Sequence, residues 1–220
     1  LFVTGRTQFL GTDETAHLGY AHAIADFTLP TIEGMPPVPQ AATLWQLERS
    51  TVLDIEHLGV WVANHPPLHY VTAAPAIWIS ELLNRPDGGL LFMRMINLGF
   101  GAVGIVFTYL LALEVSGGAR RIALTAASVA GLIGLAPAVF SIGMNDGSGF
   151  AAATFLLWAA VRHLRLPTRR NTILLGAAVV VAFGTRTATM LMAVALVAAI
   201  AGFRWFDQRD NAGFRTALGL

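Results

Sequence analysis

Three groups of residues in this chain have types and spacing that could do chemistry. The first is Gly11-Thr12-Asp13-Glu14-Thr15-Ala16-His17, followed by Tyr20 and His22. Thr12 suits the cap of a helix whose first turn carries acids. On such a helix Asp13, His17 and Tyr20 share one face at i, i+4 and i+7. Two readings fit these residues equally. The acids serve the helix N-terminus and nothing more, or a carboxylate acts as general base or metal ligand. His22 is rotated off that face and no HExxH motif is present, which argues against zinc. A hard divalent ion on Asp13 with phosphate oxygens is the metal chemistry compatible with the group. The metal is left unassigned.

The second group is Asn64-His65-Pro66-Pro67-Leu68-His69-Tyr70. The prolines stop a loop and start a helix, which fixes the direction of the preceding side chain. His65 is thereby placed to meet an anion at the helix start, or to face solvent as a cap. The third group is Arg94, Asn145-Asp146 and Gly184-Thr185-Arg186. Arginine binds phosphate as a planar fork, but each of these residues could equally anchor a helix at a membrane interface.

The elements that must position these groups follow from the spacing of charge. The chain has 220 residues, 55% hydrophobic and only 12% charged, with a mean hydropathy of +0.62. A soluble domain of that length needs more polar surface. A net charge of +1 gives no field for nucleic acid, and the lack of cysteine excludes disulfides and thiolate metal sites. All 14 basic residues are arginine, which fits a GC-rich bacterial coding sequence. Uncharged runs of 19, 24, 15, 15 and 17 residues separate Arg94, Glu114, Arg121, Asp146, Arg162, Arg170, Arg186 and Arg204. A membrane span takes about 20 apolar residues. The first two runs reach that length. Each 15-residue run covers only about 22 Å.

Alternating spans put Arg120, Arg121, Arg162, Arg165, Arg169, Arg170 and Arg204 on one side, which is cytoplasmic by the positive-inside rule. The other side receives residues 13–90, with nine acids against two arginines and five of the six histidines. Asp146 and Arg186 end the short runs there, so they are expected below the outer surface, facing a polar cavity. Snorkelling at a thinned interface is the simpler alternative.

The expected fold is an all-α, polytopic transmembrane helical bundle with a long extracytoplasmic loop carrying short interfacial helices. Residues 1–12 are a lead-in or the end of a preceding membrane segment. Residues 13–90 are the outer loop, with an extended Pro-rich stretch at 28–45 and a helix after Pro66-Pro67. Residues 91–206 hold about five membrane segments, two of them short. Residues 207–220 are a cytoplasmic tail or connector. The chain opens on Leu1, ends in polar sequence and carries no recognisable signal peptide, so it is read as an internal fragment or the ordered part of a longer chain.

Asp-Glu early in the first outer loop, then His-Pro-Pro-Leu-His-Tyr about fifty residues on, then Arg94 opening a span, resembles the GT-C superfamily of polytopic glycosyltransferases. The nearest branch looks like the bacterial relatives of protein O-mannosyltransferases and lipid A aminoarabinose transferases. Gly184-Thr185-Arg186 is similar to the Gly-Leu-x-x-Leu-Thr-Lys/Arg stretch of that group. The resemblance implies a fragment of a larger GT-C-like fold in the bacterial inner membrane, with its active site on the extracytoplasmic side. It implies a polyprenyl-phosphate-linked sugar donor, a glycan, lipid or protein acceptor, and inversion at the anomeric carbon. Asp13, with Glu14, matches the catalytic carboxylate. Arg186, Arg94 and His65 are the candidates for the donor phosphate. His17, Tyr20, His69, Tyr70, Asn145 and Asp146 would line the substrate cavity. The sequence departs from the pattern at His65, where relatives carry a lysine, and at His17, where a tyrosine is common. A lipid-linked-sugar flippase or transporter, or a structural subunit of a membrane complex, fits the same pattern of charges.

Overall fold

The computed structural model describes residues 14–32, 60–85, 89–133 and 139–217. Among them the chain is all-helical, as expected. The uncharged run after Arg94 lies in the helix α3, Leu90–Val115, with α1 at Glu14–Ala25 and α2 at Leu68–Leu82 before it. Helices α4 (Arg120–Leu132), α5 (Asp146–Arg165), α6 (Arg169–Thr185) and α7 (Thr187–Ala217) follow. A short 3-10 turn, Trp61–Asn64, leads into Pro66-Pro67, and α2 starts directly after the second proline. The helix expected after those prolines is therefore present. Most of the Pro-rich stretch 28–45 lies outside the described residues.

Helix α3 buries one stripe, Leu90, Met93, Arg94, Asn97, Gly101 and Gly104, at helical spacing. That stripe packs on α5, which runs parallel to it. Asn97 meets Gly147 at one end of the pair, and Glu114 meets Arg162 at the other. From Asn97 to Glu114 the helix rises about 26 Å, close to the thickness of a bilayer core. Helix α4 packs against α3, and α6 packs antiparallel against α5. Small residues make the α5–α6–α7 seam, with Ala159, Ala178, Ala182 and Ala193 packed around Leu156. Small side chains let helices approach closely where no water drives them together. A second core, built on Leu18, Tyr70, Ala73, Ile77 and Met93, joins α1 and α2 to the start of α3.

Among the described residues one helix, α3, is long and apolar enough to cross a membrane; the apolar part of α7, Thr187–Phe203, has 17 residues. Apolar surface is nonetheless spread over the outside of the bundle. Val106, Leu124, Ile173, Val180 and Leu191 are each more than half exposed.

Two helices differ from the lengths of their uncharged runs. Helix α5 has 20 residues and α6 has 17, or about 30 and 25 Å. Charges cap these helices instead of interrupting them. Asp146 is in the first turn of α5, and Arg162 and Arg165 are in its last, each at the end the helix dipole favours. Counting only uncharged residues therefore shortens α5 on paper. Helix α7 runs through residue 206, so residues 207–217, expected as a tail or connector, continue the helix.

Candidate functional site

Polar groups gather where the N-termini of α1 and α5, the start of α3 and the α6–α7 junction meet. Glu14 is fully buried, and Arg94 is 2% exposed. The guanidinium grips the carboxylate as a fork, with Nε to Oε1 and Nη2 to Oε2 both at 2.8 Å. The backbone N–H of Gly143 also donates to Oε1. Two charges of opposite sign are thus withdrawn from water together, which a bidentate geometry with a further donor makes tolerable. Arg94, read from sequence as a donor-phosphate candidate, here neutralises Glu14. Asp13, the other acid of the motif, lies outside the described residues.

The start of α5 is shaped by Asn97, one turn beyond Arg94. Its amide donates to the carbonyls of Phe140 and Ile142 at 3.2 and 2.8 Å, and its Oδ1 accepts from the Gly147 N–H at 2.8 Å. Position 147 has room for glycine alone, since a Cβ there would lie 2.2 Å from the Asn97 carbonyl oxygen. At Gly149 a Cβ would press on the Arg186 side chain, 3.2 Å from its Cδ. These two glycines let Asn97 and Arg186 approach the first turn of α5. The sequence carries a signal for Asn97, a lone amide in an uncharged run one turn after Arg94, but it was not among the expected site residues. Neither was Ser148.

Arg186 sits in an extended residue between α6 and α7, with φ −155° and ψ 144°. Its Nη1 donates to Asp146 Oδ1. The pair stands at the rim, the two side chains 35% and 21% exposed. Next to Asp146, the Asn145 amide donates to His65 Nδ1 at 3.0 Å. The second proline-led residue, His69, is tied to the same turn, with Nδ1 3.0 Å from Ser148 Oγ. His65, Asn145, Asp146 and Arg186 are thus brought together although they are as much as 121 positions apart in sequence.

Behind this rim lies an aromatic layer. Tyr20 and Tyr70 stack with centroids 3.7 Å apart. The Tyr20 hydroxyl donates to the His65 carbonyl at 3.0 Å, and Tyr70 Oη lies 2.8 Å from His17 Nδ1. Burial, then the neighbouring His69 and His65 and the Arg186 charge, push the His17 pKa well below the ordinary 6.5. Burial, then His65, lowers His69 to about 4. Burial and the Tyr20 phenol push Tyr70 up. Neutral His17 and the Tyr70 phenol thus share one buried hydrogen bond. His22, also buried, belongs to the opposite side of α1 from this layer in helical phase.

The set offers a cation at a rim, a carboxylate that can release it, and neutral hydrogen-bonding rings beneath. Such a set can hold an anionic group at Arg186 and orient a polyol over His65 and Asn145. Among the described residues no three His, Asp or Glu side chains group as metal ligands. Comparison with known proteins adds nothing to the site: no family model, no curated protein and no solved structure matches the chain.

Proposed function

We propose that the chain is part of a multi-pass bacterial inner-membrane glycosyltransferase that moves a sugar from a polyprenyl-phosphate donor to an extracytoplasmic acceptor with inversion. The observation that carries this reading is the partly exposed Arg186–Asp146 pair beside His65 and Asn145. The apolar exterior of α3, α4, α6 and α7 supports a bilayer setting. Polar residues at opposite ends of the α3–α5 pair support the expected alternation, with the Arg186 end outside and the Arg162 end in the cytoplasm.

In this mechanism Asp13 takes the proton of an acceptor hydroxyl as its oxygen attacks the anomeric carbon. The bond from that carbon to the lipid phosphate oxygen breaks, and its electron pair leaves with the phosphate. Positive charge on the sugar and negative charge on the leaving group grow together. Arg186 swings from Asp146 to the phosphate and stabilises it there. Glu14 and Arg94 hold α1 against α3.

The test is transfer from a radiolabelled polyprenyl-phosphate sugar in membranes containing the full-length protein. Asp13→Asn should abolish transfer while donor binding and expression stay normal. Arg186→Lys should weaken donor binding, because the charge is kept and the fork is lost. Transfer at the wild-type rate by both variants sinks the assignment. A flippase differs in outcome: donor crosses the bilayer and no glycoside forms.

A further inference from the structure

A cavity of about 260 Å³ lies over α5, between α3 and α6, closed at one end by the first turns of α2. Helices α3 and α6 each pack on α5, leaving this space between them. Phe100, Phe107, Phe155 and Val181 give it apolar walls, and Val103, 43% exposed, stands at its opening. His69 forms part of the closed end and is itself 2% exposed.

The hydrogen bonds around the cavity determine what it can offer. The Ser148 hydroxyl has a single proton, and it is donated to the Asn145 carbonyl at 2.9 Å. Toward His69 Nδ1, Ser148 Oγ can then only accept, so Nδ1 carries the ring proton. The ring is neutral because burial holds its pKa near 4. Its Nε2 is therefore a lone-pair acceptor, and among the described residues that atom has no partner. The other hydroxyls of the lining are spent in the same way. Thr72 donates to the His69 carbonyl and Thr185 to the Val181 carbonyl, both at 2.6 Å. The cavity thus presents a buried acceptor and no spare donor. A carboxylate or phosphate would enter without a proton to receive it. An ammonium would find no counter-charge. Water needs two to four polar partners, more than this lining offers.

We infer that this cavity is a binding site for a neutral aliphatic alcohol, whose hydroxyl donates to His69 Nε2 while its chain lies along Phe100, Phe107 and Phe155. The site stands apart from the sugar-transfer reading and does not depend on it, because it uses no charged group and its test reads binding alone. The full-length protein in phosphatidylcholine nanodiscs would be photolabelled with a 1-decanol carrying a chain diazirine, and the adducts mapped by mass spectrometry. Labels should fall on α3, α5 and α6 around the cavity. Unlabelled 1-decanol should compete about tenfold better than decane or decanoate, the fold-change of one buried hydrogen bond. His69→Phe keeps an apolar ring of similar size without the acceptor and should erase that preference. Equal competition by all three compounds, or no saturable label at these helices, overturns the inference. The order of competition in the unaltered protein decides the matter even if His69→Phe fails to fold.

Discussion

Glu14 and Arg94, 80 residues apart in sequence, face each other as a two-pronged ion pair with both prongs at 2.8 Å and almost no access to water. This contact fastens α1 to α3, which among the described residues is the helix long and apolar enough to span a membrane. The pair therefore ties the start of α1 to the first turns of α3.

Removing one partner should cost far more than removing both. Glu14→Gln or Arg94→Met leaves a buried charge uncompensated, a loss of about 3–5 kcal/mol. The double variant Glu14→Leu with Arg94→Leu should lose less than either single variant. Thermal unfolding of the purified proteins gives the cycle. Additive losses would mean that the pair is not the unit holding α1 to α3.

Acid should loosen the same end of the molecule. The folded chain protonates His69 only near 4, whereas an ordinary histidine takes its proton near 6.5. Between those values the unfolded chain binds more protons, so stability is full above about pH 6.5 and falls as pH drops toward 4. His69 alone accounts for about 3 kcal/mol across that window. His17, lowered by burial and its histidine neighbours, acts in the same direction. Melting temperatures between pH 7.5 and 4.5 should show the slope, and His69→Gln should flatten it. An unchanged slope in that variant would move the acid sensitivity elsewhere.

Asp146 should act as a brake on anion binding. Its carboxylate occupies the Arg186 guanidinium that the proposed donor phosphate needs. Asp146→Asn should therefore bind the lipid phosphate several-fold more tightly. Weaker binding would show that Asp146 holds Arg186 in place and does not compete for it.

The proposed membrane orientation is open to a direct check, since the chain has no cysteine. In sealed cells an impermeant maleimide should label Asn64→Cys, an exposed position beside His65, and spare Pro167→Cys between α5 and α6. The reverse pattern would invert the topology.

The all-helical class was legible because the spacing of charges marks helix ends, and Pro66-Pro67 marks the start of α2. The gathering of His65, Asp146 and Arg186 was legible too, since the alternation expected from the uncharged runs sends all three to one end. The partnerships were not. Glu14 was grouped with Asp13 as one acidic motif, yet Glu14 is taken up by Arg94 and the Gly143 amide. Arg94 looked like a phosphate ligand because a sequence does not show which carboxylate will reach it. Asn97, Ser148 and Gly147 passed unnoticed because their role lies in the close approach of two helices 50 residues apart.

The Glu14 carboxylate also bears on the order of events during synthesis. It accepts from Arg94, 80 residues later, and from the Gly143 amide, 129 residues later. When α1 emerges from the ribosome, neither partner exists yet. Helix α1 must wait, its acid still in contact with water, until the turn before α5 has been made. Contacts of such long range close late and slowly. The burial of Glu14 is thus completed only after residue 143 has been made, and a chain truncated before it would leave that carboxylate without its backbone donor.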